Sequence, residues 1–309
     1  MKKVIGVLLV LSVFGAMALG SGSSKSKETK AIVGGSDTKT EANVQEGEKE
    51  ETTSAAETEA ETTIEETVVY DANSIKITAK EYTKDGGIFG GEGIKFLIEN
   101  NTDKNIRVGV KALIVNNYMM SDLFAPTVAA GMKTNEVLEF SSTSLEKAGI
   151  TSVGQVEIYF HIYDDDTWDE IDDPDVVVIK TSNYDKMQDN ADTSGNVLFE
   201  EDGIKIVGKF VDEDSFWGTA IVLYIENTSD KNISIYVDHV SINGFTVDSI
   251  FAATVYAGRK SFDDITIFSS DLEKNGITSV DEVSLSFRIR DEESFETIKE
   301  TDMITFATK

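Results

Sequence analysis

The chain says the same thing twice. "IENNTDKNI" from Ile98 to Ile106 returns as "IENTSDKNI" from Ile225 to Ile233, and "LEKAGITSV" (Leu145 to Val153) returns as "LEKNGITSV" (Leu272 to Val280). "FAPTVAAGMK" (Phe124 to Lys133) likewise returns as "FAATVYAGRK" (Phe251 to Lys260). A single offset of 127 residues lays Gly93–Ser182 on Ala220–Lys309 without a gap, and "IKI" at Ile75 answers "IKI" at Ile204 after a two-residue length change. That period is the size of a whole domain. It constrains the chain to two similar folds in tandem and excludes a solenoid of short units.

Within each half the apolar residues alternate. Ile94, Phe96 and Ile98 recur as Ile221, Leu223 and Ile225; Ile106, Val108 and Val110 recur as Ile233, Ile235 and Val237. Val156, Ile158, Phe160 and Ile162 recur as Val283, Leu285, Phe287 and Ile289. A period of two is the signature of strands with one face buried. "NNTDKN" and "NTSDKN" stand between two such runs. Asn and Asp bond their own backbone and tolerate left-handed conformations, so each segment is expected to be a hairpin turn. Only "STSLEKAG" predicts a helical turn, opened by Ser (Asp in the second half) and closed by Gly.

Several short strands per half, joined by polar turns, predict an all-β chain with a two-sheet sandwich in each half; a closed barrel is the alternative. The pattern and its "ENNTDKNI" type of turn resemble the immunoglobulin-like domains of secreted Gram-positive proteins and lipoproteins. The resemblance implies two tandem immunoglobulin-like β-sandwich repeats, over 67–182 and 196–309, with no diagnostic functional motif. The polar stretch 183–195, "NYDKMQDNADTSG", has no apolar period and is expected to link them.

The segment ahead of the repeats predicts export. Lys2 and Lys3 precede an apolar run from Val4 to Phe14, and Ala16-Met17-Ala18 supplies the small residues of a cleavage site, so 1–18 is expected to be a signal peptide. Residues 19–66 are rich in Ser, Thr, Glu and Ala. They cannot bury enough surface to offset their ordering entropy and are expected to form a disordered acidic stalk spanning roughly 40 Å. "GSGSSKSK" resembles the tether that follows the lipid-bearing cysteine of Gram-positive lipoproteins, but Ser21 stands where that cysteine is expected, which removes the acylation site.

Composition excludes several chemistries. With no cysteine there is no disulfide, thiolate metal site or Cys nucleophile. Lys and Arg number 28 against 56 Asp and Glu, a net charge of −28, which phosphate backbones repel; nucleic acid is not an expected partner. The two histidines are not equivalent: His161 aligns with Arg288 and His239 with Ala112. His161 is out of phase with its apolar neighbours and is expected on the surface beside Tyr159 and Tyr163. His239 is expected at a bulge, where the apolar phase shifts from Val237 to Val240. A His-based metal site or a Ser-His-Asp triad has little to draw on.

The run "DDDTWDEIDDPD" (Asp164 to Asp175) has carboxylates enough for calcium, but not the alternating oxygens and sixth-position glycine of an EF-hand; a solvated hairpin tip is expected. Trp168 and its counterpart Phe295 are expected to pack on the end of the sandwich. Trp217, aligned with Gly90, is the exposed-aromatic candidate. No residue is assigned a catalytic, metal or cofactor-binding role. The expected function is a noncatalytic extracytoplasmic binding or spacer module, secreted or associated with the cell envelope, displayed on the stalk. Its partner would be an extracellular or envelope component, and the mature chain would have no transmembrane domain. The alternatives are a carboxylate-dependent hydrolase of envelope polymers and a purely structural envelope component.

Overall fold

The computed structural model describes residues 61–86, 91–212 and 218–308. The expectations for the signal peptide, Ser21, the stalk up to residue 60, Gly90 and Trp217 therefore lie outside the described residues.

The first half contributes β1 (Thr67–Ala72), β2 (Ile75–Gly86), β3 (Gly91–Asn100), β4 (Ile106–Val115), β5 (Tyr118–Met120), β6 (Thr127–Val128) and β7 (Lys133–Glu139). Then come α1 (Ser142–Lys147), β8 (Gln155–Asp164), β9 (Glu170–Asp172) and β10 (Val177–Lys180). The second half opens with β11 (Asn196–Glu201), β12 (Ile204–Asp212), β13 (Thr219–Asn227), β14 (Ile233–Ile242), β15 (Phe245–Thr246) and β16 (Ser249–Ile250). It ends with β17 (Ala252–Val255), β18 (Arg259–Ile267), α2 (Ser269–Lys274), β19 (Glu282–Asp291), β20 (Thr297–Glu300) and β21 (Ile304–Ala307). The bounds of β4 and β14, of α1 and α2, and of β8 and β19 are offset by the same 127 residues as the sequence repeat.

The fold is all-β and sandwich-like, with open sheet edges instead of a closed barrel. One sheet of the first half runs β1-β2-β3-β7; the corresponding strands of the second half run β11-β12-β13-β18 in the same order. The facing sheets are built on the pairs β4–β8 and β14–β19. Between the sheets lie the alternating residues read from the sequence. Ile94, Phe96, Ile98, Ile158 and Phe160 in the first half, and Leu223, Ile225, Leu285 and Ile289 in the second, are fully buried. Phe96 and Phe160 meet edge to face at 5.6 Å, the arrangement their ring quadrupoles favour. Among the described residues no helix is long and apolar enough to cross a membrane.

The hairpin expectation is corrected. β3 and β4 do not pair, and neither do β13 and β14: in each case the polar turn carries the chain from one sheet across to the other. The reason lies in Asn100 and Asn227, both fully buried. The Asn100 amide donates to the carbonyls of Lys104 (2.8 Å), Val128 (2.9 Å) and Ala129 (3.1 Å), while its Oδ1 accepts from Thr102 N and Oγ1. Asn227 donates to Lys231 and Val255 carbonyls at 2.8 and 2.9 Å and accepts from Ser229 N and Oγ. Each side chain thus closes its own turn and ties it to a distant segment near the facing sheet. A period of two tells which face is buried, not which strand is the neighbour.

The halves join edge to edge. β5 and β18 form a parallel bridge at Tyr118 and Lys260, and Lys260 N donates to Asn117 O at 3.1 Å, so one sheet runs from the first half into the second. Around this bridge Tyr118 stacks on Phe262, and Tyr159 meets Tyr256 at 4.9 Å. Arg259 grips the buried carboxylate of Glu157 with one nitrogen at 3.0 and 2.8 Å, and Lys147 holds both oxygens of Asp264 at 2.7 Å. The expected linker is engaged as well: Asp189 accepts from Tyr118 Oη at 2.7 Å and pairs with Lys260. Thr62, placed by composition in the stalk, is buried and accepts from Asn183 Nδ2 at 2.9 Å.

Replacing Asn100 or Asn227 by Ala strands several buried carbonyls and amides, and each change is expected to destabilise the chain by about 3 kcal/mol. Asn101→Ala, at the exposed neighbour, is expected to cost less than about 0.5 kcal/mol. Urea unfolding of the three variants checks the contrast.

Candidate functional site

Strand β8 buries Val156, Ile158, Phe160 and Ile162, so the residues between them, Glu157, Tyr159, His161 and Tyr163, share the opposite face. Three of these four are aromatic rings, at alternate positions about 7 Å apart along the strand. Trp168 extends the row. It sits in the turn after β8 with φ 63°, and its ring stacks on Tyr163 at 5.3 Å and 21°. Arg107, across from Tyr163 on β4, lies with its guanidinium 5.4 Å from the Trp168 ring and donates to Asp165 at 2.6 Å. His161 meets Tyr163 edge-on at 5.2 Å and stands opposite Gly109, whose lack of a side chain leaves the ring uncovered from that strand. At the other end Tyr159 meets Tyr256 of the second half. The result is an aromatic stripe on the outer face of a sheet.

Trp168 corrects the packing expectation on one side only. Its inner face is stacked, yet the residue is 62% exposed, and Phe295 is 63% exposed. His161 lies beside Tyr163 as expected, but half-buried in the row and not fully on the surface. Burial and the nearby Lys111 ammonium lower its pKa, so the imidazole is neutral at neutral pH. Burial raises the pKa of the Tyr159 and Tyr163 phenols, which stay protonated hydrogen-bond donors. His239, at a register shift in β14 with φ 57°, is exposed and apart from the stripe.

The acidic run beside Trp168 is organised by its first residue. Asp164 is buried; its Oδ1 accepts from the amides of Asp166 and Thr167 at 3.0 and 3.1 Å, and its Oδ2 pairs with Lys104 at 2.8 Å. Asp291 makes the same set of bonds with Glu293, Ser294 and Lys231. Lys104 and the turn amides hold the Asp164 carboxyl below its usual range. Three neighbouring carboxylates are also engaged: Asp165 with Arg107, Asp173 with Lys111 and Glu157 with Arg259. The arrangement offers flat apolar ring faces flanked by phenol, imidazole and ion-paired carboxylate groups. It is suited to stacking a flat ligand and orienting its hydroxyls.

A second constellation lies at the junction of the halves. A cavity of about 190 Å³ is lined by Lys111, Met119 and Asp122 from the first half and by Thr254, Phe262 and Asp263 from the second. Burial pushes both Asp122 and Asp263 up to about 6, and the Asp263 Oδ2 has no hydrogen-bond partner among the described residues. Periodicity could not reveal it, because the two acids are distant in sequence and the cavity exists only where the halves meet. A larger cleft of about 580 Å³ lies between the start of the described chain and β10; Glu65 and Lys180 are its charged lining residues.

No known protein family matches the chain, and no curated protein is significantly similar to it.

The raised carboxyl at Asp263 sets a pH dependence. An unfolded Asp titrates near 3.9, so between about pH 4 and 6 the folded chain binds the extra proton. This group's contribution to stability therefore falls as pH rises through that window and is flat above it. Asp263→Asn, neutral throughout, is expected to be more stable than the parent at pH 7.5 by on the order of 1 kcal/mol, with the difference vanishing near pH 4. Thermal melting of both proteins across pH 4–8 checks it.

Proposed function

We propose that the chain is a noncatalytic extracytoplasmic binding module that holds a polysaccharide of the cell envelope on the β8 stripe. In this reading two tandem immunoglobulin-like repeats follow a signal peptide and an acidic stalk. The observation that carries it is Trp168: a large ring stacked on Tyr163, with the Arg107 guanidinium over it at 5.4 Å, that nonetheless stays 62% exposed. A prearranged aromatic loses little conformational entropy on binding, and the C–H faces of a pyranose ring supply the apolar surface it lacks. Tyr159, His161 and Tyr163 continue the surface, and their polar atoms are available to sugar hydroxyls. The paired charges around the stripe argue for recognition over acid–base chemistry, since each carboxylate named there already has its cation.

A carboxylate-dependent hydrolase is the second reading, favoured by Asp122 and Asp263, two acids with raised pKa values on one cavity. Its size counts against it: about 190 Å³ is small for a sugar unit in a cavity that must also admit water.

Co-sedimentation of the full-length protein with purified cell-wall polysaccharide tests the proposal. Trp168→Ala is expected to weaken binding at least tenfold, about 1.4 kcal/mol, while Phe295→Ala leaves it unchanged. Undiminished binding by Trp168→Ala would reject the stripe as the site.

A further inference from the structure

The corresponding face of the second half has a different chemistry. At the offset of 127 residues, Tyr159, His161 and Tyr163 become Ser286, Arg288 and Arg290, and Gly109 becomes Tyr236. We infer that Arg288, Arg290 and Tyr236 form a binding site for an oxyanion, a phosphoryl or carboxylate group. The inference does not rest on the aromatic stripe and concerns a separate set of residues.

Arginine is scarce here. The four in the chain are Arg107, Arg259, Arg288 and Arg290. Arg107, Arg259 and Arg288 pair with Asp165, Glu157 and Asp238 respectively. Arg290 has no carboxylate partner among the described residues, in a chain with twice as many acidic as basic side chains. Its position is nevertheless fixed. Arg288 and Arg290 are two apart on β19 and share one face, and their guanidinium carbons lie 5.8 and 5.7 Å from the centre of the Tyr236 ring. The Nε atoms of both are buried without a hydrogen-bond partner. Two guanidinium groups are thus held against one aromatic ring. Each planar fork matches the oxygens of a carboxylate or phosphoryl group, which an ammonium does not.

The surroundings complete the site. Ser234 and Thr297 stand directly across from Arg290 on the flanking strands; the Ser234 hydroxyl already donates to Glu292, so Thr297 supplies the hydroxyl donor beside the guanidinium. The acidic neighbours are Asp238, already on Arg288; Glu292, bonded to Ser234 Oγ; and Glu300, across from Arg288 on β20. These acids and the net charge of −28 oppose a diffuse cloud of anions. Binding must come from short-range, bidentate contacts. Added salt screens the long-range repulsion within about 10 Å at 0.1 M, so affinity should hold or rise with moderate salt, opposite to ordinary cationic adsorption.

Calorimetry of the full-length protein with polyphosphate and with polygalacturonate, at 50 and 200 mM NaCl, tests this and distinguishes the two oxyanion sources; dextran serves as the uncharged control. At least one polyanion is expected to bind, no more weakly at the higher salt, and dextran is not expected to compete for Arg290. Arg290→Gln should weaken that binding at least tenfold. Arg290→Lys, which keeps the charge and loses the fork, should weaken it at least threefold. Melting curves verify that each variant folds. Failure of both polyanions to bind, equal binding by Arg290→Gln, or full rescue by Arg290→Lys overturns the inference.

Discussion

Two buried asparagine side chains hold the architecture in register. Asn100 and Asn227 sit where the chain leaves one sheet for the other, at positions from which water is excluded. A buried amide left unbonded costs more than a bonded one gains, so the backbone around it has to supply carbonyls and amides in fixed places. That requirement defines the turn, its exit direction and the contact with the segments at Val128 and Val255. Asn116 and Asn243 repeat the device at the next turn. Each donates to a carbonyl at 2.8 Å, Ser152 or Ser279, and each accepts from two backbone amides, those of Gly154 and Gln155 or of Asp281 and Glu282. Asp164 and Asp291 do the same with carboxylates. The turns at Asn100 and Asn227 recur closely because polar atoms are buried and bonded there, so a substitution strands several partners at once.

The junction between the halves obeys the opposite rule. Arg259, Phe262 and Asp264, which face the first half, occupy positions held in the first half by Met132, Asn135 and Val137. Glu157 and Tyr159 on the other side correspond to Ser284 and Ser286. Each of the pairs these residues form therefore includes at least one residue the two halves do not share, although Lys147 itself recurs as Lys274. Two such surfaces from different molecules would lack the Arg259–Glu157 and Lys147–Asp264 pairs, so the internal junction does not provide a template for head-to-tail chaining.

The outer faces diverge in the same way. Once the inward side chains satisfy the core, the outward positions of β8 and β19 are free to carry other chemistry. One carries rings and the other guanidinium groups around a ring. Tyr159, His161 and Tyr163, like Arg288, Arg290 and Tyr236, are mounted on paired strands, which gives a recognition surface its preorganisation. The acidic residues flanking them are largely occupied in capping turns or pairing with cations, so the large net charge shapes the long-range field more than the chemistry of either face.

By itself the sequence determined the strands, the buried residues and the duplication. A period of two states directly which side chains point inward, and Ile94, Phe96, Ile98, Val156, Ile158 and Phe160 are inward. It also marked both turns, His239 at its bulge and the short helices. It did not determine strand partners, because alternation is identical whether a strand pairs with its successor or crosses to the facing sheet; the hairpin between Asn100 and Ile106 was misread for that reason. Only the tertiary structure decided that Trp168 stacks on Tyr163 and still stays exposed, that Arg290 has no carboxylate partner among the described residues, and that Asp122 and Asp263 meet at one cavity. Those properties depend on distances between residues far apart in the chain, and burial and electrostatics follow from such distances, not from local pattern.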